Sequence, residues 1–248
     1  GIDAGYLIAV RQIDNRLEGR SSVEGTTNYE YAGAVFDSDT TEFRGFADVK
    51  EQLPSGLTLQ HYFHQDEAGK GKEYRKDMLN QDEELLQRYD FTWLAQEEDE
   101  YQVVELTTEE RTDYLPSSSA SKTVRTAYDY DEYGNVIEKH YQGDVTDPDD
   151  NLYERYTYVL NVGEWILDKV SNHRLQDDAT DSLNSRLSLE MFYYDDNEYN
   201  VASSIGDLTR VQQWLNTGDM IEIEYEYDDY GNIITEIDSN DHRTEYRY

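Results

Sequence analysis

Apolar and polar residues alternate with a period of two along most of this chain, which predicts β-strands with one half-buried face. Gly, Pro, Asn, Asp and Ser cluster between the alternating runs, as they do at turns between strands. In the first part of the chain the predicted strands are residues 6–10, 29–31, 41–49 and 57–63. Turns or polar loops are predicted at residues 17–25, 53–56 and 65–71.

The stretch 78–93 is ambiguous, because its leucines fall at a spacing that fits neither a helix nor a strand throughout. We favour a turn at residues 80–83, followed by a strand at residues 85–93. A further strand is predicted at residues 101–114, and loops are predicted at residues 115–121, 143–151 and 175–185.

One pattern occurs almost identically twice, as YDYDEYGNVI at residues 128–137 and as YEYDDYGNII at residues 225–234. Alternating tyrosine and acid, then Gly-Asn, then aliphatic residues predict a strand, a tight turn and a returning strand. A degenerate copy between them consists of Phe192, Tyr193, Tyr194, Asp195, Asp196, Asn200 and Val201. The copies indicate a repeat architecture, and such repeats form surfaces more often than active sites.

The turn of each copy constrains the backbone, since its Gly-Asn pair requires a positive φ. The predicted structural residues of the two copies are Tyr128, Tyr130, Gly134, Asn135, Tyr225, Tyr227, Gly231 and Asn232. In the second copy, pairing Tyr227 with Thr235 places Ile233 and Ile237 on the face of the tyrosines, with residues 230–232 as the loop. In the first copy a two-residue loop also satisfies the pattern, so the loop length stays open.

The composition suits an extended β-protein and excludes several kinds of partner. Tyrosine occurs 23 times against 6 phenylalanines, and it suits half-buried sheets because its ring is apolar while its hydroxyl can stay in water. The net charge of −34 excludes nucleic acid and opposes binding to an anionic membrane. There is no cysteine and no apolar run long enough to cross a bilayer, so we predict neither disulfides nor a membrane span.

With 248 residues the chain is long enough to bury a core, either as one extended all-β unit or as two smaller pieces. Its acidity suits an ordinary extracellular protein or adaptation to high salt, and both interpretations stay open. The chain begins at Gly1 and stops at Tyr248 inside an alternating run, so we expect it to be a segment of a longer protein.

No arrangement of residues predicts catalysis or metal binding. His61 and His64 are three residues apart without an obvious third ligand, so we expect no metal site there. The acidic clusters at residues 147–150 and 195–198 lack the spacing of a calcium loop. Carboxylate pairs are too common to identify an acid and a base, and no nucleophile elbow, phosphate loop or dinucleotide fingerprint occurs. We therefore expect no enzymatic activity and no cofactor.

A second distinctive run consists of Phe43, Arg44, Gly45 and Phe46. We predict that Arg44, flanked by aromatic residues on a strand, forms a structural ion pair or stacks on tyrosine. Gly45 predicts either a β-bulge or a close approach of another backbone segment.

The two copies of the tyrosine-rich pattern resemble the YD repeat of RHS (rearrangement hot spot) proteins. Residues 237–248 resemble the following half-repeat, in which the family usually has Gly at the place of Asp241. The first part of the chain is similar to the middle region of insecticidal toxin complex B components and their Salmonella-virulence-plasmid-like relatives. The segments that carry this similarity are residues 28–33, 42–46, 63–64, 74–77 and 89–93.

The resemblance implies an all-β fold of irregular YD-repeat antiparallel strands and hairpins, forming part of a large hollow RHS-type shell that encloses a toxic C-terminal polypeptide. It divides the chain into a toxin complex B-like middle segment at residues 1–95 and an RHS/YD-repeat segment at residues 96–248. The implied partners are the remainder of a larger polypeptide, a toxin passenger and a translocation component, in a protein that is secreted or at the cell surface. The alternative is a YD-repeat adhesion protein of the cell surface or matrix, and a carbohydrate-active enzyme is a weaker third hypothesis.

Overall fold

The structure is a computed structural model, and it describes residues 6–12, 25–97, 102–115, 120–180 and 182–248. These residues form antiparallel β-strands and one short 3-10 turn, and none of them lies in an α-helix. The predicted all-β class is therefore confirmed. Within this part of the chain, no helix is long and apolar enough to cross a membrane.

The strands follow one another along the chain with short connections. The first nine are β1 (Tyr6–Gln12), β2 (Gly25–Ala32), β3 (Phe36–Asp37), β4 (Glu42–Phe43), β5 (Asp48–Gln52), β6 (Thr58–Phe63), β7 (Glu73–Leu79), β8 (Leu85–Glu97) and β9 (Gln102–Tyr114). The next nine are β10 (Ser121–Tyr130), β11 (Val136–Asp144), β12 (Leu152–Asn161), β13 (Ile166–Gln176), β14 (Arg186–Tyr194), β15 (Leu208–Trp214), β16 (Met220–Tyr227), β17 (Ile233–Ile237) and β18 (Arg243–Glu245). The 3-10 turn, Leu183–Ser185, precedes β14.

The chain forms two compact units, one of residues 1–127 with 143–147 and the other of residues 128–142 with 148–248. In the first unit the strand order is β1-β2-β5-β6-β7-β8-β9-β10, and β3 pairs with β4 in a separate small sheet. In the second unit β11 to β18 are neighbours in chain order. The division at residues 95 and 96 concerns sequence segments rather than compact units, and it stays a prediction.

Period-two alternation located most strands. The stretch 78–93 contains a turn and then β8, as predicted, rather than a helix. The predicted strand at residues 41–49 is wrong in its continuity, because residues 44–47 separate β4 from β5. Gly45 lies in this break with a φ of +86°, which an extended strand cannot contain. Two predicted loops begin later than expected, since β11 extends to Asp144 and β13 extends to Gln176.

The two faces of the sheet in the second unit differ in chemistry. Paired residues of neighbouring antiparallel strands share a face, so the register defines both sides. One side, the arginine face, carries Arg155, Arg174, Arg210 and Arg243. The other side, the glutamate–histidine face, carries Glu154, Tyr156, His173, Glu190, Phe192, Val211, Ile221, Ile223 and Tyr225.

The sheets enclose almost no apolar core. Among the described residues only two hydrophobic side chains are buried, Val159 at 7% exposure and Tyr193 at 8%. Polar side chains are buried more completely, including Ser171 at 0% and Thr235 at 2%. The length of the chain predicts room for a core, but each strand contacts its sheet neighbours, and among the described residues no second layer covers a face of the main sheet in either unit. Most apolar side chains are therefore only half-buried.

Candidate functional site: the tyrosine–aspartate repeats

The first repeat turns at residues 131–135 through a five-residue hydrogen-bonded loop. The Asp131 N–H donates to the Asn135 carbonyl at 2.9 Å, and the Gly134 N–H donates to the Asp131 carbonyl at 3.1 Å. Gly134 has a φ of +83°, so the loop is a type I turn followed by a left-handed residue. The Asp131 side chain completes it, because Oδ1 accepts hydrogen bonds from the N–H groups of Tyr133 and Asn135, each at 2.9 Å.

The second repeat has the same turn. The Asp228 N–H donates to the Asn232 carbonyl at 2.9 Å, and the Gly231 N–H donates to the Asp228 carbonyl at 3.1 Å. Asp228 Oδ1 accepts from the N–H groups of Tyr230 and Asn232. Gly231 has a φ of +78°, so the positive φ predicted near both Gly-Asn pairs is confirmed. Hydrogen bonds from Asn232 lower the pKa of Asp228 below its ordinary value.

A third turn repeats this geometry at the end of the chain. Asp238 accepts from the N–H groups of Asn240 and His242 through Oδ1, and its own N–H donates to the His242 carbonyl at 3.1 Å. Asp241 occupies the left-handed position with a φ of +61°. Asp241, at the place where YD repeats usually have Gly, therefore leaves the shape of the turn unchanged and adds backbone strain.

The predicted pairing of the second repeat is wrong. Tyr227 pairs with Ile233, whereas Glu226 pairs with Thr235, because a bulge lies between these two pairs. The loop is residues 229–231 instead of residues 230–232, since Asp228 and Asn232 close it. Beyond the bulge, Thr235 and Ile237 lie on the arginine face, where Arg243 Nη2 donates to Thr235 Oγ1 at 2.8 Å.

The tyrosine before the turn holds its strand to the preceding one. Tyr227 Oη donates to the Leu208 carbonyl at 2.8 Å, and Tyr194 Oη donates to the Val170 carbonyl at 3.0 Å. Tyr158, three residues before the end of β12, makes a similar bond, because its Oη donates to a carbonyl at the start of β11 at 3.0 Å. Each phenol therefore bonds a backbone oxygen of the neighbouring strand. Phenylalanine cannot make this bond, which explains the preference for tyrosine at this position.

The degenerate copy retains the tyrosine–carbonyl bond and the aspartate that accepts backbone N–H groups, but its loop is longer. Tyr194 makes the tyrosine bond, and the Asp195 carboxylate accepts four backbone N–H groups, at 2.7–2.9 Å, from residues 204–207. Burial opposes ionisation of Asp195, but these hydrogen bonds outweigh it and lower its pKa. The Asp195 carboxylate fastens the loop, and no strand begins at Val201, since β15 starts at Leu208.

The tyrosines of the first repeat lie at the end of β10. Tyr128 and Tyr130 are half-buried, whereas the residue between them is exposed. Asn135 extends the turn to another strand, because its Nδ2 donates to Asp131 Oδ2 at 2.9 Å and to the Leu167 carbonyl at 2.8 Å. In the second repeat the Asn232 amide bonds the aspartate of its own turn.

Arg44 forms the structural ion pair predicted for it. Its Nη2 lies 2.5 Å from Asp37 Oδ2 and 2.5 Å from Glu67 Oε2, and its side chain is 13% exposed. It lies between β4 and β5 rather than on a strand. On either side, Phe43 packs edge-on against Phe46, with 5.5 Å between ring centroids.

Gly45 makes the predicted backbone contact to another segment through its carbonyl, and the space where its Cβ would lie is open. A Cβ added at Gly45 would meet nothing within 4 Å. Its carbonyl accepts from the Val35 N–H at 3.1 Å, and its positive φ turns the chain after Arg44. Backbone conformation, not space, therefore selects glycine here.

Sequence reasoning missed a polar network centred on Glu154. Its carboxylate accepts from Tyr141 Oη at 2.6 Å and lies 2.8 Å from His173 Nε2, and Lys139 Nζ is 3.2 Å away. Burial opposes ionisation of Glu154, but hydrogen bonds from its neighbours outweigh it and lower its pKa to about 2. Burial and the bond to Glu154 raise the pKa of Tyr141 to about 12. The network joins strands β11, β12 and β13.

A second network lies in the first unit around Asp77, which is 4% exposed. Arg88 donates to its carboxylate from Nε at 2.9 Å, and Arg75 donates from Nε at 3.0 Å. These bonds overcome the effect of burial and lower the pKa of Asp77. Arg75 and Arg88 lie on neighbouring strands, so a buried carboxylate joins β7 to β8.

Two histidines, His61 and His173, take part in cross-strand contacts. His61 Nδ1 lies 2.6 Å from Glu73 Oε1, and His173 Nδ1 lies 3.1 Å from Glu190 Oε2. Within the described ranges, no group of three or more His, Cys, Asp or Glu side chains could hold a metal ion. The Glu154 network, the Asp77 network and these histidine contacts connect neighbouring strands within a sheet.

The fold is shared with solved structures of toxin complexes. The crystal structure of TcdB2-TccC3 matches 91% of this chain at a TM-score of 0.59 and 10% identity, over 20% of its own chain. The same complex without its hypervariable C-terminal region matches 91% at a TM-score of 0.59 and 12% identity, over 20% of its chain. A Tc holotoxin pore of Photorhabdus luminescens carrying a TccC3 mutation matches 91% at a TM-score of 0.62 and 10% identity, over 19% of its chain.

This chain thus spans about a fifth of the length of the chains that it matches. No protein-family model and no curated protein matches it. At this level of identity the likeness concerns the fold. The resemblance to the RHS-like region of toxin complex B components, first indicated by the YD repeats, is confirmed at that level.

Proposed function

We propose that this chain forms part of the wall of a larger RHS-type β-shell, which encapsulates a toxic C-terminal polypeptide and helps to deliver it. The observation that carries the proposal is an extensive antiparallel sheet, with the fold of toxin complex structures and almost no buried apolar core. A globular domain would use its half-buried apolar residues to fill a core between layers. A wall one layer thick has no such need.

Bonds between neighbouring strands supply the kind of stability that a single-layer wall requires. Without a second layer, neighbouring strands must be held together within the sheet. Tyr194 and Tyr227 do so through bonds to backbone carbonyls, and Glu154 and Asp77 do so through side-chain networks. Each bond runs between strands rather than between layers, which suits a sheet that separates two spaces.

The proposed role is structural rather than enzymatic. The partners would be the remainder of a larger polypeptide, the enclosed passenger and a translocation component, and the parent protein would act outside the cell that makes it. These assignments rest on the likeness to Tc toxin structures, which include a holotoxin pore. The net charge of −34 suits a soluble exterior and argues against nucleic acid as the enclosed cargo.

Protection of the passenger tests this function. The purified parent protein, with its C-terminal polypeptide, is treated with a limiting amount of protease. We expect the passenger to survive while a separately prepared passenger is digested. The double variant Tyr194→Phe/Asp195→Asn should accelerate digestion, because it loosens the wall, whereas the matched control Tyr225→Phe/Asp196→Asn should not. Equal digestion of the free and the parent-borne passenger would contradict encapsulation and favour an adhesive role.

A further inference from the structure

Two neighbouring loops of the second unit expose large apolar side chains. Trp165, in the turn between β12 and β13, is 74% exposed, and Ile205, in the loop between β14 and β15, is also 74% exposed. The two loops touch, because Asn161 Nδ2 donates to the Ser203 carbonyl at 2.7 Å. Val162 at 54% and Val201 at 46% add to this surface, which we call the Trp165 patch: Val162, Trp165, Val201 and Ile205.

The patch is held in place rather than loosely attached. The N–H of Ile205 is one of the four that bind the Asp195 carboxylate, at 2.9 Å. Ser203, two residues earlier, is 1% exposed, so the loop is anchored next to its exposed isoleucine. Trp165 has a φ of +58°, a conformation that a bulky side chain rarely adopts. This left-handed residue helps to close the turn between β12 and β13, because the Trp165 N–H donates to the Val162 carbonyl. Glycine would close the turn with less strain, so the turn does not explain why a large, exposed tryptophan occupies the position, and its exposure points to recognition.

The surroundings of the patch are acidic. Residues 161–169 and 195–207 contain six carboxylates and one base, Lys169. The carboxylates are Glu164, Asp168, Asp195, Asp196, Glu198 and Asp207. Asp196 and Glu198 are exposed beside the apolar residues, and Lys169 lies 3.5 Å from Asp168. A partner that covers this surface must therefore bring positive charge together with apolar side chains.

We propose that the Trp165 patch is a docking surface for a polypeptide segment whose apolar side chains are flanked by lysine or arginine. The apolar side chains would cover Trp165 and Ile205, and the flanking cations would meet the carboxylates at the rim. An exposed tryptophan surrounded by polar residues has the composition of an interface hot spot. The inference does not depend on the proposed shell, because it rests on the exposure of Trp165 and Ile205 and on the carboxylates around them.

Binding of designed peptides to the full chain tests the proposal. Fluorescence anisotropy at physiological ionic strength compares a labelled leucine–lysine peptide with a serine–lysine peptide of equal charge. We expect the leucine–lysine peptide to bind at least roughly tenfold more tightly, because charge alone attracts both. Trp165→Asn, which retains a residue tolerant of positive φ, and Ile205→Ser should each weaken it by roughly tenfold. Leu215→Ser, an exposed leucine in another turn, should change it less than about twofold.

Three results would overturn the proposal. The two peptides could bind equally, which would mean that general charge attraction explains binding. The Trp165 and Ile205 variants, shown to be folded by circular dichroism, could bind as tightly as the Leu215 control. Sedimentation could show a dimer that Trp165→Asn abolishes, which would identify a second copy of the chain as the occupant.

Discussion

The phenol of Tyr227 donates a hydrogen bond to the backbone carbonyl of Leu208, at 2.8 Å and across the boundary between two neighbouring strands. The next residue in the chain, Asp228, accepts the N–H groups of the turn that follows. One dipeptide thus fixes a strand to its predecessor and shapes the connection to its successor. Tyr194 likewise bonds the preceding strand, and Asp195 accepts N–H groups of the loop that follows, which has a different length.

Removing the phenol oxygen should destabilise the sheet, because it leaves a half-buried carbonyl without its donor. We expect Tyr194→Phe and Tyr227→Phe each to lower the free energy of unfolding by about 1 kcal/mol. Tyr225→Phe is the matched control, since Tyr225 lies on the same face of β16 as Tyr227, two residues earlier. It should change stability by less than half as much. Urea denaturation measures all three. Equal losses at the three positions would show that the phenol bonds are not what these tyrosines contribute.

Asp195 should control the order of its loop. In Asp195→Asn the side chain retains one acceptor oxygen for four N–H groups, and its charge is lost. We expect a loss of about 1–3 kcal/mol, with faster hydrogen exchange at the amides of residues 204–207 than elsewhere. Asp196→Asn, one residue later and exposed, is the control and should leave those amides protected.

The charge of Glu154 should make stability depend on pH in the acid range. Its pKa is about 2 in the folded chain against an ordinary 4.5, so the carboxylate stabilises the fold above pH 4.5. This contribution is lost as the pH falls from 4.5 towards 2. At neutral pH we expect Glu154→Gln to cost about 1–2 kcal/mol, less than the whole shift implies, because water screens its half-exposed partners.

The difference between the wild-type chain and Glu154→Gln should therefore narrow across that window, measured by urea denaturation at a series of pH values. Glu164→Gln is the control, since this exposed glutamate lies outside the network. A difference that stays constant from neutral pH to pH 2 would argue that the variant loses packing rather than a charged hydrogen-bonded group.

Substitutions at the left-handed position of two turns should change stability in opposite directions. Gly231→Val should destabilise the hairpin by roughly 1–3 kcal/mol, because a β-branched residue resists a positive φ. Asp241→Gly should stabilise its turn by up to about 1 kcal/mol, because it relieves the strain of a non-glycine residue at +61°. Thermal melts of both variants check the signs. Two losses would mean that the aspartate contributes more than its backbone strain costs.

Strands and turns could be predicted from local sequence, whereas contacts between residues distant in the chain could not. Alternation located β8 and β16, and Gly-Asn located the left-handed residues of both repeats. The bulge after Tyr227 was missed, because one extra residue changes the face of every later residue without leaving a sequence signal. Val170 is 24 residues before Tyr194, and its only recognition element is a backbone carbonyl, which every residue has.

The near absence of a buried apolar core could not be predicted for a related reason. The length of the chain and its apolar residues suggest a core, but the described strands of each unit, apart from β3 and β4, continue to add side by side to a main sheet rather than stacking into layers. The Glu154 network likewise needs three strands in register before its members meet. Acids are so frequent in this chain that nothing in the sequence distinguishes Glu154 from the others.

In the proposed wall, one face of the sheet lies inside a larger protein and the other face lies outside. Gln213 and Glu224 are both exposed and lie on neighbouring strands. The register places Gln213 on the glutamate–histidine face and Glu224 on the arginine face. The chain contains no cysteine, so Gln213→Cys and Glu224→Cys each introduce a single reactive thiol into it.

The direct measurement is the rate at which a bulky polyethylene-glycol maleimide labels each thiol, in the separate chain and in a cysteine-free version of the intact parent protein. In the separate chain both thiols should react at similar rates, because neither face is covered. In the parent protein the account predicts that one of the two thiols is protected at least tenfold while the other reacts as before. Equal and rapid labelling of both thiols in the parent would contradict the wall and leave the sheet as an open surface.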